Sequence, residues 1–303
     1  MVIVSLTGGL GNQLFLYSVG RSIAERTGKG LYLDTSIYPR YWSRSYQLNH
    51  FNIKGELIKK SSRNQVLKAA MLVKDERGVY FDNLDTLDAE VIHVEGYWQS
   101  YLYLQKIKNL LQQEIRVKVH LAEQSERVLN SIKETNSVAV HLRRGDYYAI
   151  KKTRKKYGSV CDEEYYFHAI EYVASRIEAP IFYIFSDDIE YAQKLLSPLK
   201  YNFRFVSSSK SFENSSLSDN YFFRNINIIR KRFVKNNDHV DFELMRHCKH
   251  YIIANSSFSW WPAWLSDYPL KIVCCPARWT TIKTPTEESY YRMLIPEDWV
   301  RIS

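Results

Sequence analysis

Ser137-Val138-Ala139-Val140-His141-Leu142-Arg143-Arg144-Gly145-Asp146 is the stretch on which the fold turns. Val138 to Leu142 is a short apolar run, the length of a strand buried inside a parallel sheet. Polarity changes sharply after it, so the strand opens into a basic loop. The alternation then continues. From Asp162, a candidate N-cap, the spacing Tyr166, Ile170, Val173, Ile177 predicts an amphipathic helix. Ile181 to Phe185 predicts a strand, and Ser186-Asp187-Asp188 behind it caps a helix carrying Ile189, Ala192 and Leu196. Phe203–Val206 is a third strand, and Val240, Leu244 and Cys248 share a helix face. Tyr251–Ala254 reads as a strand, Phe258–Leu265 as an aromatic helix and Ile272–Cys275 as a last strand. Such alternation calls for a parallel sheet with helices on both faces. Ligands of these sheets sit at the carboxyl ends of the strands. Three polar clusters, His141–Asp146, Ser186–Asp188 and Asn255–Ser259, each follow a strand, so all three fall on one edge and predict a site there.

Toward the N-terminus the same grammar recurs. Val2–Leu6 is a strand, Thr7–Asn12 a glycine-rich turn, Gln13–Arg26 a helix, and Leu31–Asp34 and Val91–Val94 further strands. The region between reads as aromatic and irregular (Tyr38, Tyr41, Trp42, Tyr46). A length of 303 residues suggests two α/β domains of about 150 residues each. The boundary falls near residue 135, giving 1–135 and 136–303. The polar stretch Ser207–Asn220 reads as a long loop, either plain surface or functional.

With 45% apolar and 25% charged residues the chain can build a real core. Its 23 tyrosines offer flat faces with polar tips that suit sugars, although a Tyr-rich coding style explains them equally. Net charge is +9, and Lys151, Lys152, Arg154, Lys155 and Lys156 form one basic run, Arg230, Lys231, Arg232 and Lys235 another. Such runs are either solvated loops or marks of an anionic partner: a nucleotide sugar, a nucleic acid or an acidic membrane leaflet. The four cysteines show no C-x-x-C pair, and Cys274 and Cys275 read as small buried hydrophobes in a reducing compartment. The N-terminus enters a strand directly, without a signal-peptide plan, and no apolar run approaches the roughly 20 residues of a membrane span. A cytoplasmic chain, peripheral at most to the inner membrane face, is expected.

Four segments carry candidate chemistry. Gly8-Gly9-Leu10-Gly11-Asn12-Gln13 joins a strand to a helix, where backbone N–H groups favour an anion. It also reads as a tight structural turn, or, with Asp34 about 20 residues on, as the start of a nicotinamide or flavin site, though Leu14 stands where that fingerprint wants a small residue. Arg143 and Arg144 at a strand end would be costly to bury without an anion, and an arginine fork can grip phosphate oxygens; a surface ion pair with Asp146 is the bland alternative. Asp241 could accept from guanine N1–H and its amine, or simply complement a helix dipole. Asn255-Ser256-Ser257-Phe258-Ser259 offers a second phosphate cradle, part of which ordinary N-capping explains. The sequence contains no Asp-x-Asp and no His/Cys ligand spacing, so arginines would carry a leaving diphosphate, which predicts chemistry without metal.

Together the segments Gly8–Phe15 (GGLGNQLF), Glu95–Ser100 (EGYWQS), His141–Tyr147, Asp241–Met245 and Asn255–Trp261 through Leu265 resemble the inverting, GDP-fucose-dependent α-1,2-fucosyltransferases of glycosyltransferase family 11, of the bacterial O-antigen and capsule type. The likeness spans nearly the whole chain and is weakest at 200–236. It implies a GT-B fold of two facing Rossmann-like halves, an acceptor side at 1–135 and a GDP-L-fucose side at 136–303, with no metal or other cofactor. By this resemblance Arg143 holds the β-phosphate, Arg144 shapes its loop, and His141 and Asp241 contact the guanosine. Asn255, Ser256, Ser257 and Ser259 complete the donor site, and Gly11, Asn12 and Gln13 close over the diphosphate. Tyr97, Trp98 and Gln99 are acceptor candidates. Asp146, the carboxylate nearest the arginines, is the candidate base, completing a catalytic set of His141, Arg143 and Asp146. The implied partners are GDP-L-fucose and a galactose-terminated oligosaccharide or lipid-linked glycan, with peripheral contact to an anionic membrane and no nucleic acid. Two rivals stand beside it: a nicotinamide- or flavin-dependent oxidoreductase, and a non-catalytic glycan- or polyanion-binding module.

Overall fold

The computed structural model describes residues 1–40, 44–118, 120–144, 151–206 and 237–303. Tyr41, Trp42, Asp146, the stretch Ser207–Asn220 and the second basic run lie outside the described residues. The first sheet comprises β1 (Val2–Ser5), β2 (Leu31–Asp34), β3 (Glu56–Leu57), β4 (Met71–Lys74) and β5 (Ile92–Glu95), in the order β3-β2-β1-β5-β4. The second comprises β6 (Ser137–Leu142), β7 (Ile181–Ser186), β8 (Asn202–Val206), β9 (His250–Ile252), β10 (Val273–Pro276) and β11 (Val300–Ile302), in the order β11-β10-β9-β6-β7-β8. Every pairing within either sheet is parallel.

Ten α-helices among the described residues connect and cover the strands: α1 (Leu10–Thr27), α2 (Lys60–Lys68), α3 (Lys108–Glu114), α4 (Glu123–Glu134), α5 (Lys151–Tyr157), α6 (Glu163–Ala174), α7 (Ile189–Leu196), α8 (Asp238–Arg246), α9 (Ser257–Leu265) and α10 (Pro285–Leu294). The arrangement is GT-B-like, two Rossmann-like halves facing one another. Local chemistry sets the helix starts. Asp162 accepts from Tyr165 N at 3.0 Å to start α6, and Asp188 accepts from Tyr191 N at 3.1 Å to start α7.

Helix α1 is buried over most of its surface because it is covered on two sides. On one side Gly20 rests on β1: a Cβ there would stand 2.1 Å from Val4 Cγ2. On the other, Phe15 packs its ring 4.6 Å from Trp260 and 4.8 Å from Trp261 of α9. One core therefore runs through both halves, and each fully buried side chain of this size contributes about 1.5–3 kcal/mol. Near the C-terminus α10 returns to the first half. Arg77 grips Glu287 with Nε at 2.5 Å and Nη2 at 2.7 Å, and Ser289 Oγ donates to Gly78 O at 2.7 Å.

Two readings change. The supposedly irregular region of the first half contains α2, β3 and β4. Neither α2 nor β3 buries a residue, and β4 buries only Val73, so these edge elements carry no apolar pattern to read. The first basic run forms helix α5, not a loop.

Candidate active site

Parallel register aligns the carboxyl ends of three adjacent strands. His141 pairs with Phe185 and Leu142 with Ser186 across β6 and β7, while Val140 pairs with Ile252 across β6 and β9. The clusters that follow these strands thus meet on one edge, as the strand order requires.

Arg143 Nη1 lies 2.8 Å from Asp187 Oδ2, and the Arg144 backbone N–H donates to the same carboxylate's Oδ1 at 2.8 Å. The Arg144 guanidinium lies flat on Tyr191, 3.7 Å from the ring centroid, with Nε 3.7 Å from Asp188. The loop after β7 therefore positions the two arginines, a role that sequence reading gave to Asp146 or to a ligand. Both guanidinium groups remain partly exposed, at 23% and 28%.

His141 sits beneath them, 4% exposed, its Nδ1 sharing a 2.8 Å hydrogen bond with Ser259 Oγ. Burial, reinforced by the Arg143 charge and opposed by Asp187, pushes its pKa down to about 3. The imidazole is neutral at physiological pH and fixed in orientation. Its ring meets Phe258 at 5.4 Å, and Phe258 meets Phe242 of α8 at 6.3 Å, which puts the first turn of α8, with Asp241, in the same neighbourhood.

The glycine turn comes from the opposite half. Gly11 is pressed against the start of α9, where an added Cβ would meet Ser257 and Phe258 backbone atoms at 2.4–2.6 Å. Trp261 Nε1 donates to Gly11 O at 2.9 Å. Asn12 Oδ1 accepts from Ser257 Oγ at 2.9 Å and from Gln99 Nε2 at 2.7 Å, and the Tyr290 hydroxyl donates to Gln99 Oε1. The N-termini of α1 and α9 thus converge. Ser256 supplies the cap of α9 by accepting from Phe258 N at 3.3 Å, while Gly9 starts α1 with no side-chain cap. Two converging positive helix ends, on the sheet edge from which Arg143 and Arg144 extend, make a candidate anion locus. Arg44 adds to it: its Nη1 lies 3.6 Å from where a Gly9 Cβ would stand. No local signal marks Arg44, which tertiary packing alone brings to the turn.

Three candidates serve other ends. The Gln13 side chain is fully buried, donating to Gly8 O and Ser45 O and accepting from Gln47 N, so it braces the turn from behind. Asn255 Nδ2 donates to Tyr157 O and Trp279 O, tying loops together beneath the edge. Trp98 is fully buried, donates to Glu95 O at 2.8 Å and packs on Phe81 and Tyr103; it is a core residue and not an acceptor contact. Tyr97 beside it is 51% exposed. Asp34, the acid on which the dinucleotide reading depends, is 3% exposed and held by Arg63 Nη2 at 2.7 Å. Burial would raise its pKa, but Arg63 and the Ser36 N–H outweigh that and hold the carboxyl below its ordinary value. It is spent on structure, which removes the ribose contact an oxidoreductase would need. Among the described residues no group of three or more His, Cys, Asp or Glu side chains could hold a metal ion, and no helix is long and apolar enough to cross a membrane.

Comparison with known proteins agrees with this geometry. A sequence model of the family described as "Glycosyl transferase family 11" matches residues 4–300. Alpha-1,2-colitosyltransferase of Escherichia coli is 31% identical over 317 residues, covering 100% of this chain and 99% of its own. Galactoside 2-alpha-L-fucosyltransferase SEC1 of Bos taurus is 21% identical, covering 87% of this chain and 64% of its own. In fold, the crystal structure of the fucosyltransferase NodZ from Bradyrhizobium superimposes with a TM-score of 0.50 at 13% identity, over 85% of this chain and 90% of the other.

Proposed function

Because this chain belongs to glycosyl transferase family 11, we propose that it moves L-fucose from GDP-L-fucose to the 2-hydroxyl of a terminal galactose, inverting the anomeric carbon without a divalent metal. What supports the proposal is the convergence of the N-termini of α1 and α9 at the carboxyl edge of β6, β7 and β9, the edge from which Arg143 and Arg144 follow β6. Galactose O2 attacks C1 as the C1–O bond to the diphosphate breaks. Its proton passes to a base, for which Asp146 is the candidate, and the bonding pair leaves with GDP. Arg143 and the helix N–H groups act where that negative charge grows. Ser257 and Asn12 fix the helix ends, and neutral His141, locked by Ser259, shapes the donor floor. Asp241 is assigned to the guanine edge, Tyr97 and Gln99 to the acceptor. In this scheme 136–303 binds the donor and 1–135 most of the acceptor.

A second reading rests on the 31% identical colitosyltransferase, because colitose is L-fucose lacking the 3-hydroxyl. One experiment tests both: GDP-L-fucose and GDP-colitose are offered with β-galactosides in excess EDTA, and GDP release and linkage are measured. GDP-L-fucose should be consumed with an α-1,2 linkage formed, and Arg143→Ala should lower turnover on the order of 10²–10³-fold. Loss of activity in EDTA, or wild-type turnover by Arg143→Ala, would sink the assignment.

A further inference from the structure

Helix α5 exposes Lys151, Lys152, Arg154 and Lys155, and no acid occurs from 147 to 161. The loop before α10 is pinned to it: Thr281 N donates to Lys156 O at 2.9 Å and Thr281 Oγ1 to Lys155 O at 2.8 Å. That loop adds exposed Arg278 and Lys283 around Ile282, which is 42% exposed, again with no acid from 277 to 286. Helix α10 then leads to Gly78 through Ser289, next to Val79 and Tyr80, 46% and 41% exposed. Glu287 is engaged by Arg77, and among the described residues the exposed acids nearest the patch in sequence are Glu76, Asp82, Asp162, Glu163, Glu164 and Glu288. Asn255 ties the end of α5 to the loop after β9, which sets this surface on the rim of the active-site edge.

We propose that this rim docks on an anionic lipid bilayer. Six exposed cations match a negative headgroup surface, and that alone would also suit a nucleic acid. Ile282 decides between them, because an exposed aliphatic side chain beside Lys283 gains by entering the acyl boundary, with Val79 and Tyr80 at headgroup level. Docking there would turn the active-site edge toward acceptors carried on lipid.

Co-sedimentation of the full chain with phosphatidylglycerol/phosphatidylcholine vesicles tests this without sugar transfer, so its outcome is separable from that of the proposed activity. Binding should fall at high salt and be weak on phosphatidylcholine alone. Lys152→Glu/Lys155→Glu should lower partitioning on the order of 25-fold, roughly fivefold per basic residue. Ile282→Ser should lower it several-fold while retention on heparin is unchanged. Both variants should keep wild-type circular dichroism and turnover on a soluble acceptor. Equal binding to neutral vesicles, or wild-type partitioning of the double variant, would overturn the proposal. An Ile282→Ser variant that binds vesicles normally would instead mark a general polyanion surface.

Discussion

Gly11→Ala probes the junction of the two halves most directly. The new Cβ would stand 2.4 Å from Ser257 C and 2.6 Å from both Phe258 N and Ser257 O, whereas ordinary contact begins at 3.4 Å. All three atoms are backbone, so no side-chain tip can swing aside. The starts of α1 and α9 must separate by 3.4 − 2.4 = 1.0 Å along that contact. Overpacking of this kind costs about 1–3 kcal/mol. Stretching the Trp261–Gly11 and Ser257–Asn12 hydrogen bonds adds about 1 kcal/mol for each one lost. With one of the two bonds lost, a total of about 2–4 kcal/mol should appear in urea unfolding. Because the displaced atoms belong to the anion locus, and a misplacement of about 1 Å can lower a rate 10²-fold, kcat/KM should fall by roughly that factor. Gly30→Ala is the control, since its Cβ would meet only the Tyr32 ring edge, at 3.3 Å. If Gly11→Ala stays within about 0.5 kcal/mol of wild type, the scale of an ordinary surface change, and turns over within twofold, the convergence of the helix ends has no functional weight.

Three further outcomes are expected. His141 is held near pKa 3 against an ordinary 6.5, so the unfolded chain binds a proton that the folded chain refuses. Stability should therefore decline as pH falls below 6.5, by up to about 1.4 kcal/mol per unit, and urea titrations between pH 7 and 5 should show a shallower slope for His141→Asn. A double-mutant cycle of Asn12→Ala and Ser257→Ala should give a coupling of about 1 kcal/mol in unfolding free energy, since one hydrogen bond joins them; additivity would contradict that bond. Asp34→Asn should destabilise by about 1–3 kcal/mol, less than breaking a fully buried pair because Arg63 is 29% exposed, with turnover measured in parallel and little changed.

The second half was legible in the sequence because its central strands β6, β7, β9 and β10 are largely buried and read as continuous apolar runs. The clusters after β6, β7 and β9 could thus be assigned to one edge before any coordinates. Among the elements that escaped notice, α2, β3 and β4 lie at the periphery, where little apolar surface is buried and no period survives, whereas α4 and α10 do bury apolar residues on one face. Trp98 misled for a different reason. It was an acceptor candidate through the family resemblance alone, whereas Gly96 at φ 120° and Trp98 at φ 51° turn the chain so that the indole enters the core while Tyr97 faces out. The contacts of Arg143 and Arg144 with Asp187 and Asp188 were not foreseen. Asp187 and Asp188 were visible as a strand end and a cap, yet their meeting with the arginines depends on strand order, which spacing along the chain does not encode.

The return of α10 to the first half bears on how relatives of this protein can be recombined. A chimera that exchanges the amino-terminal half by one cut near residue 135 would pair a foreign 75–99 region with a resident α10, stranding Glu287 without Arg77 and Tyr290 without Gln99. Grafts of the amino-terminal half should carry residues 285–294 along with it, so that its packing is inherited through two separated pieces of sequence.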